Sequence, residues 1–283
     1  LYAAVKAVSD FACDLGINIP TGKDSLSMTQ KYKDGKSVKS PGTVIISAVG
    51  EVSDINKVIE PALKPIEASQ LIYVDLSKDS RKLGGSSFAQ FLNTLGNEAP
   101  TVSSPAYFKK TFNIIQEAIM AGEILAGHDI SDGGLVTTLL EMTFPTPEIG
   151  LDILPESIEG ADLMLKFFSQ NAGLVLQVNN IALIERLKNN SIEFSVIGKL
   201  TRKRILSIQS ELELEIDQLR DTWFKTSYLL DREQSGATHA KARYENYKNQ
   251  PLNYSFSKGF TGKLSQYGLS KTHKKGNVKA AII

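Results

Sequence analysis

The residues Gly127-His128-Asp129-Ile130-Ser131-Asp132-Gly133-Gly134-Leu135 bring two carboxylates, an imidazole, a hydroxyl and a glycine pair together between an apolar helix and a leucine-rich one. Carboxylate oxygens suit a hard cation such as Mg²⁺, and Gly133 and Gly134 allow the amides of the next helix start to come close to an anion. The same residue types are also ordinary helix caps and turn formers, so local pattern alone leaves both readings open. His239 and His273 lie far along the chain, so no histidine-ligated metal site is spelled out. His128 is read as a satisfied supporting histidine in preference to a general base.

Two further stretches could hold phosphate. In Pro20-Thr21-Gly22-Lys23-Asp24-Ser25-Leu26-Ser27-Met28, Gly22 permits close backbone approach, Lys23 offers a point charge and Ser25 a hydroxyl. It is not a P-loop, because Ile17 stands where that motif needs a glycine. The competing reading is a solvated turn. Residues 84–87, Gly84-Gly85-Ser86-Ser87, follow a strand and precede a helix, which makes a second candidate anion-binding turn or a plain serine cap.

These residues need a scaffold. The spacing of Val5, Val8, Phe11, Ala12 and Leu15 predicts a one-sided helix closed by Gly16, with Cys13 as a small buried hydrophobe. Residues 31–41 carry an Asp34-Gly35 turn and read as the tip of a long hairpin, and residues 43–49 are a β-branched run that predicts a buried strand. From about residue 68 strands and helices alternate. Strands are expected at 71–76, 150–153, 174–178, 194–198 and 204–208, and helices at 88–95, from Ser104-Pro105 onward, at 135–144, 162–168 and 181–188. That order predicts an α/β fold around one mixed sheet. Glu211, Glu213 and Glu215 alternate with apolar residues as on an edge strand, residues 219–232 form an amphipathic helix around Trp223, and the chain after Gly236 reads as an extended linker that docks on a neighbour.

Composition narrows the function classes. With 32 Lys+Arg against 31 Asp+Glu the net charge is +1, so no global field favours nucleic acid or an anionic membrane. Cys13 is the only cysteine, which excludes an internal disulfide and a cysteine-based zinc site and fits a reducing compartment, with the cytoplasm as default. No apolar run approaches the roughly 20 residues of a membrane span. The chain starts on Leu1 and ends on Ile283, and both ends read as cut.

Four stretches together carry a resemblance: Leu1-Tyr2-Ala3-Ala4-Val5-Lys6-Ala7-Val8, the residues 20–28 and 127–135 quoted above, and Asp221-Thr222-Trp223-Phe224-Lys225-Thr226-Ser227-Tyr228. In order and spacing they resemble the large, single-chain phosphoribosylformylglycinamidine synthases along essentially the whole chain. The resemblance implies a ligase that uses ATP and glutamine-derived ammonia to convert formylglycinamide ribonucleotide to formylglycinamidine ribonucleotide in purine biosynthesis. It implies a fold like the C-terminal subdomain of aminoimidazole ribonucleotide synthetase, with residues 1–65 ending an N-terminal subdomain, 66–210 forming the C-terminal subdomain, 211–276 a helix and linker, and 277–283 the first strand of a glutaminase domain. The first half and the glutaminase residues are then absent, no catalytic residue lies in this chain, and the isolated chain is inactive.

Carried over residue by residue, the resemblance makes Asp129 a Mg²⁺ ligand and Ser131, with Gly133 and Gly134, contacts to an auxiliary ADP. Gly22 and Lys23 would touch ATP, and Ser25 the substrate. Lys23 stands where smaller relatives have an asparagine that contacts Mg²⁺, and a cation cannot do that. Gln170 stands where related large synthases tend to have a glutamate. Two other readings remain: a non-catalytic module that holds a nucleotide, and another ATP-using relative such as a selenide or thiamine-phosphate kinase-like protein, against which the Trp223 helix and the linker speak.

Overall fold

The computed structural model describes residues 1–23, 28–209, 212–249 and 255–268. Helix α1 (Tyr2–Leu15) ends on Gly16 at φ 73°, and a short hairpin, β1 (Thr29–Lys31) with β2 (Ser37–Lys39), follows. Then come β3 (Gln70–Asp75), α2 (Ser87–Phe91), α3 (Pro105–Ala121), β4 (Ala126–Asp129), α4 (Gly134–Thr143), β5 (Gly150–Ile153), α5 (Leu163–Phe168) and β6 (Gly173–Val178). Helix α6 (Ala182–Asn189), β7 (Phe194–Thr201), β8 (Ile205–Ile208), β9 (Leu212–Glu215), α7 (Ile216–Ser235) and α8 (Ala237–Asn246) complete the order.

Seven strands form the main sheet in the order β4-β6-β3-β7-β5-β8-β9. Every pairing is antiparallel except β5 with β8, so the sheet is mixed, as expected. Alternation along β3 explains its central place: Leu71 and Tyr73 join one core with Leu135, Leu139 and Met142 of α4, while Ile72 and Val74 join another with Ile114, Ile115 and Ala118 of α3 and Leu183 and Leu187 of α6. Both faces of the strand are covered, and four successive side chains are buried. Gln177 of β6, fully buried, accepts from the Lys64 amide and donates to the Lys64 carbonyl and the Ser69 hydroxyl, each at 2.8 Å, which fixes the segment leading into β3.

Local signals place the helices well. Ser104 caps α3 by accepting from the Tyr107 amide at 3.3 Å, Pro105 occupies the first turn, and Gly122 ends the helix at φ 73°. Asp162 caps α5 through the Leu165 amide at 2.9 Å.

Four expectations are corrected. Residues 43–49 form no strand; Ile45 is 83% exposed and Val49 fully exposed, because no described strand lies beside them to complete a ladder. The expected long hairpin has only three residues in each strand. Helix α2 stops at Phe91, four residues short of the predicted 95, as the chain turns at Asn93 with φ 55°. Cys13 is exposed, since α1 buries only Ala12 and meets α3 mainly through the Phe11–Phe108 edge contact at 5.5 Å.

The region after Gly236 also differs from an extended linker. Helix α8, with Tyr247 directly after it, packs back on α7 through stacked Tyr228–Tyr244 and Phe224–Tyr247 rings, at 4.7 and 3.8 Å, and an Arg243–Asp231 ion pair at 2.7 Å. Residues further on do dock: the Ile55 amide bonds the Gly262 carbonyl at 2.9 Å and the Leu264 amide the Ser53 carbonyl at 3.1 Å. The expected strand at 277–283 lies outside the described residues.

Candidate functional site

Strand β4 is an edge strand, paired with β6 from Ala126↔Gln177 to Asp129↔Leu174, and the ladder is continued by the Ile130 amide to the Gly173 carbonyl at 2.9 Å. Gly127 sits where the edge is tightly covered, since a Cβ there would lie 2.7 Å from Ile59 Cδ1 and 2.8 Å from Leu176 Cδ2. Beyond Ile130 the chain turns sharply. The Gly134 amide donates to the Ser131 carbonyl at 3.0 Å, and Gly133 and Gly134 hold φ values of 86° and 73°, which L side chains tolerate poorly. Thr138 of α4 then donates to the Asp129 carbonyl at 3.2 Å and fastens the strand end to the helix start.

Asp129 points outward with 72% of its side chain exposed, and Ser131 and Asp132 are exposed beside it. His128 is mostly buried, with 18% of its side chain exposed. Its Nδ1 lies 2.7 Å from the Asp129 carbonyl and 3.3 Å from Asp129 Oδ1, and its Nε2 lies 3.4 Å from Glu141 Oε2. Glu141 in turn accepts from the Trp223 indole N–H at 2.9 Å. His128 therefore links strand end, α4 and α7, as befits a supporting histidine. A cavity of about 540 Å³ flanks His128 and Asp129, walled by Phe108, Phe112, Ile115 and Ile119 of α3.

Ser169 and Asn171, which motif reading passed over, and Gln170, noted only for its departure from a glutamate, organise the rest. Ser169, Gln170 and Asn171 join α5 to β6 and reach into the polar loop at 77–87. Ser169 accepts from Arg81 at 3.2 Å, and the nearly fully buried Asn171 donates to the Ser77 hydroxyl and to the Asp79 and Ser80 carbonyls at 3.4, 3.2 and 3.1 Å. Gln170, with its amide oriented as the hydrogen-bond network requires, accepts from the Ser87 and Gly133 amides, each at 2.9 Å. For Ser169 and Asn171 the sequence signal was only a run of polar side chains directly before a buried strand.

Electrostatics in this loop are strongly set. The Lys82 ammonium, and after it the Thr101 amide, hold the Asp79 carboxyl down at about 2. Burial pushes the Tyr73 phenol up to about 12, against the opposing effect of Arg81, whose guanidinium lies 4.8 Å over the ring.

Asp129, Ser131, Gly133 and Gly134 are thus brought into one turn, while Gly22 and Lys23 are exposed in an irregular segment between α1 and β1. Ser25 lies outside the described residues. No group of three or more His, Cys, Asp or Glu side chains converges to hold a metal among the described residues. A single exposed carboxylate still fits Mg²⁺, which binds through one or two carboxylates and ligand phosphates while keeping several waters. No described helix is long and apolar enough to cross a membrane.

A mixed α/β sheet domain with a glycine-paired turn after its edge strand is the class that fold and site define. Residues 70–211 match the family described as AIR synthase related protein, C-terminal domain, and the chain belongs to that family. Residues 1–51 match the FGAR-AT PurM_N-like domain. The chain is 37% identical over 257 residues to "Probable phosphoribosylformylglycinamidine synthase, chloroplastic/mitochondrial" of Arabidopsis thaliana, a match that covers 88% of this chain and 18% of that protein. Among solved structures, T. maritima PurL complexed with FGAR shares the fold with a TM-score of 0.52 at 10% identity, covering 77% of this chain and 37% of that one. The structure of PurLQS from Thermotoga maritima matches with a TM-score of 0.49 at 10% identity, covering 75% and 34%.

Proposed function

We propose that this chain is part of a phosphoribosylformylglycinamidine synthase, the ligase that converts formylglycinamide ribonucleotide, ATP and glutamine-derived ammonia to formylglycinamidine ribonucleotide. The observation that carries the reading is the 37% identity spread over 88% of the chain, because it spans the N-terminal stretch, the α/β domain and the helices beyond it. In that reading residues 1–65 end an N-terminal subdomain, 66–210 are the C-terminal subdomain, 211–276 connect onward and 277–283 begin a glutaminase domain.

Within it, the turn at 127–135 holds an auxiliary ADP. Asp129 is the ligand for Mg²⁺, which would neutralise phosphate charge when bound. Ser131 and the glycine turn at Gly133 and Gly134 contact the phosphates, and the cavity beside His128 is of a size for a small ligand. The residues of the turnover site in this chain are Gly22, Lys23 and Ser25, where Lys23 meets phosphate directly and Ser25 the substrate. In this reading the two stretches have distinct roles, one near the chemistry and one that holds nucleotide structurally. The lone cysteine supports a reducing compartment, and we place the protein in the cytoplasm.

The test is calorimetric titration of the full-length protein with Mg·ADP. Asp129→Asn is expected to weaken binding by about tenfold, the scale of one lost carboxylate–cation contact. Unchanged affinity would remove Asp129 from the site. Turnover of glutamine and formylglycinamide ribonucleotide by the 283-residue chain alone would overturn its reading as one part of a larger active enzyme.

A further inference from the structure

Helix α4 starts on two glycines and has no side-chain cap of its own. Its first orphan amides must find partners elsewhere or lie open to a ligand. The side-chain oxygen of Gln170 supplies one such partner. It accepts from the Gly133 amide at 2.9 Å, from the Ser87 amide at 2.9 Å and from the Ser87 hydroxyl at 3.2 Å. Ser87 opens α2 and Gly133 immediately precedes α4, so a single oxygen serves two separate helix starts. The attachment of Gln170 is itself rigid: Ser169 and Asn171 on either side are buried and bonded into the loop at 77–87, and Phe168 stacks on Phe88 of α2 at 4.7 Å.

We infer that Gln170 is the positioning residue of the nucleotide cradle: its uncharged oxygen joins the turn at 84–87 to the turn at 131–134 and, by carrying no charge, leaves the favourable potential of the α4 start to the ligand's phosphates. This rests on the nucleotide reading of the Asp129 turn. A carboxylate at this position would satisfy the same three donors, but it would place a negative charge at the α4 start and make phosphate binding depend on a cation. A methionine would fill a similar volume and accept nothing of comparable strength. Charge and hydrogen bonding can therefore be separated by substitution.

The experiment uses the full-length protein that contains this chain, with Gln170→Glu and Gln170→Met. The first readout is amide hydrogen exchange at Ser87 and Gly133. Exchange is expected to be slow in wild type and in Q170E, and about tenfold or more faster in Q170M, since a lost hydrogen bond of ordinary strength is worth that factor. Should Q170M fail to fold, Gln170→Asn, too short to reach both amides, makes the same comparison. The second readout is ADP affinity in EDTA and in Mg²⁺. Q170E is expected to bind about tenfold more weakly than wild type in EDTA and to recover most of that loss in Mg²⁺, a pattern that a purely structural defect would not produce. Equal exchange in wild type and Q170M overturns the joining role, and equal affinities of wild type and Q170E in EDTA overturn the charge role. A wild-type full-length protein that binds no ADP in either medium refutes the nucleotide reading and the charge role with it, while the exchange result decides the joining role by itself.

Discussion

Replacing Gly134 with alanine tests whether the turn at 131–134 is held in shape by main-chain crowding. Gly134 is buried at φ 73°, and a Cβ there would lie 2.7 Å from the Phe167 carbonyl oxygen, 2.7 Å from the Phe168 carbonyl carbon and 2.8 Å from Phe168 Cα. All three atoms are backbone, so no rotamer change relieves the contact. The left-handed conformation costs alanine about 1 kcal/mol, and displacing the end of α5 within a packed core costs about 1–3 kcal/mol more. The expected destabilisation is about 2–4 kcal/mol, equivalent to a fall in Tm of about 5–15 °C for a domain of this size. Gly133→Ala is the internal control. Its φ is 86°, and its Cβ would meet only the Thr137 side chain: rotation carries Oγ1 and Cγ2 away, while Thr137 Cβ at 2.8 Å stays and must shift by a few tenths of an ångström. Its cost should exceed the conformational strain of about 1 kcal/mol and stay below that of Gly134→Ala, because one side-chain atom has to give way instead of three main-chain atoms. Urea denaturation followed by circular dichroism and Trp223 fluorescence gives both values. A Gly134→Ala variant no less stable than Gly133→Ala would refute the crowding argument.

Two further outcomes are expected. Asp79 is held at about 2, below its ordinary 3.8, so its contribution to stability is complete above about pH 5 and is lost as pH falls from about 4 through 2. Asp79→Asn should therefore be less stable than wild type at neutral pH, with the gap closing across that window; a gap constant from pH 7 to about 2.5 in denaturation curves would refute the assignment. Arg204 donates to the Thr143, Thr146 and Ile149 carbonyls, each at 2.9 Å, and thus closes the end of α4. Arg204→Met should cost about 3 kcal/mol with an unchanged urea m-value, because it leaves partly buried carbonyls without a charged donor, and Arg204→Lys should restore part of that loss.

Elements with a strong local signature were legible in the sequence. Ser104-Pro105 opened α3, Asp162 opened α5, and the apolar runs in β3 and β6 marked strands, which the structure buries on both faces. Misreadings came where a partner decides the outcome. Residues 43–49 have the composition of a buried strand, but β-branched side chains cannot say whether a neighbouring strand is there to bond with. Helix α8 is polar and has little amphipathic pattern, yet Tyr244 and Tyr247 are spaced to meet Tyr228 and Phe224 of α7, and those ring contacts hold it. The candidate site divides similarly: Asp129, Ser131, Gly133 and Gly134 were visible as one motif because their proximity is covalent.

The sequence by itself determined that a mixed α/β domain would form and that a carboxylate and a glycine pair would meet at one turn, since helix caps, strand alternation and glycine turns are short-range preferences. Only the tertiary structure decided what stands against that turn. It turned His128 toward Glu141 and Trp223, exposed Asp129, and brought Gln170 against both Ser87 and Gly133. Those contacts join residues dozens of positions apart, and they exist because sheet order places the α5–β6 junction beside the end of β4, which no local preference encodes.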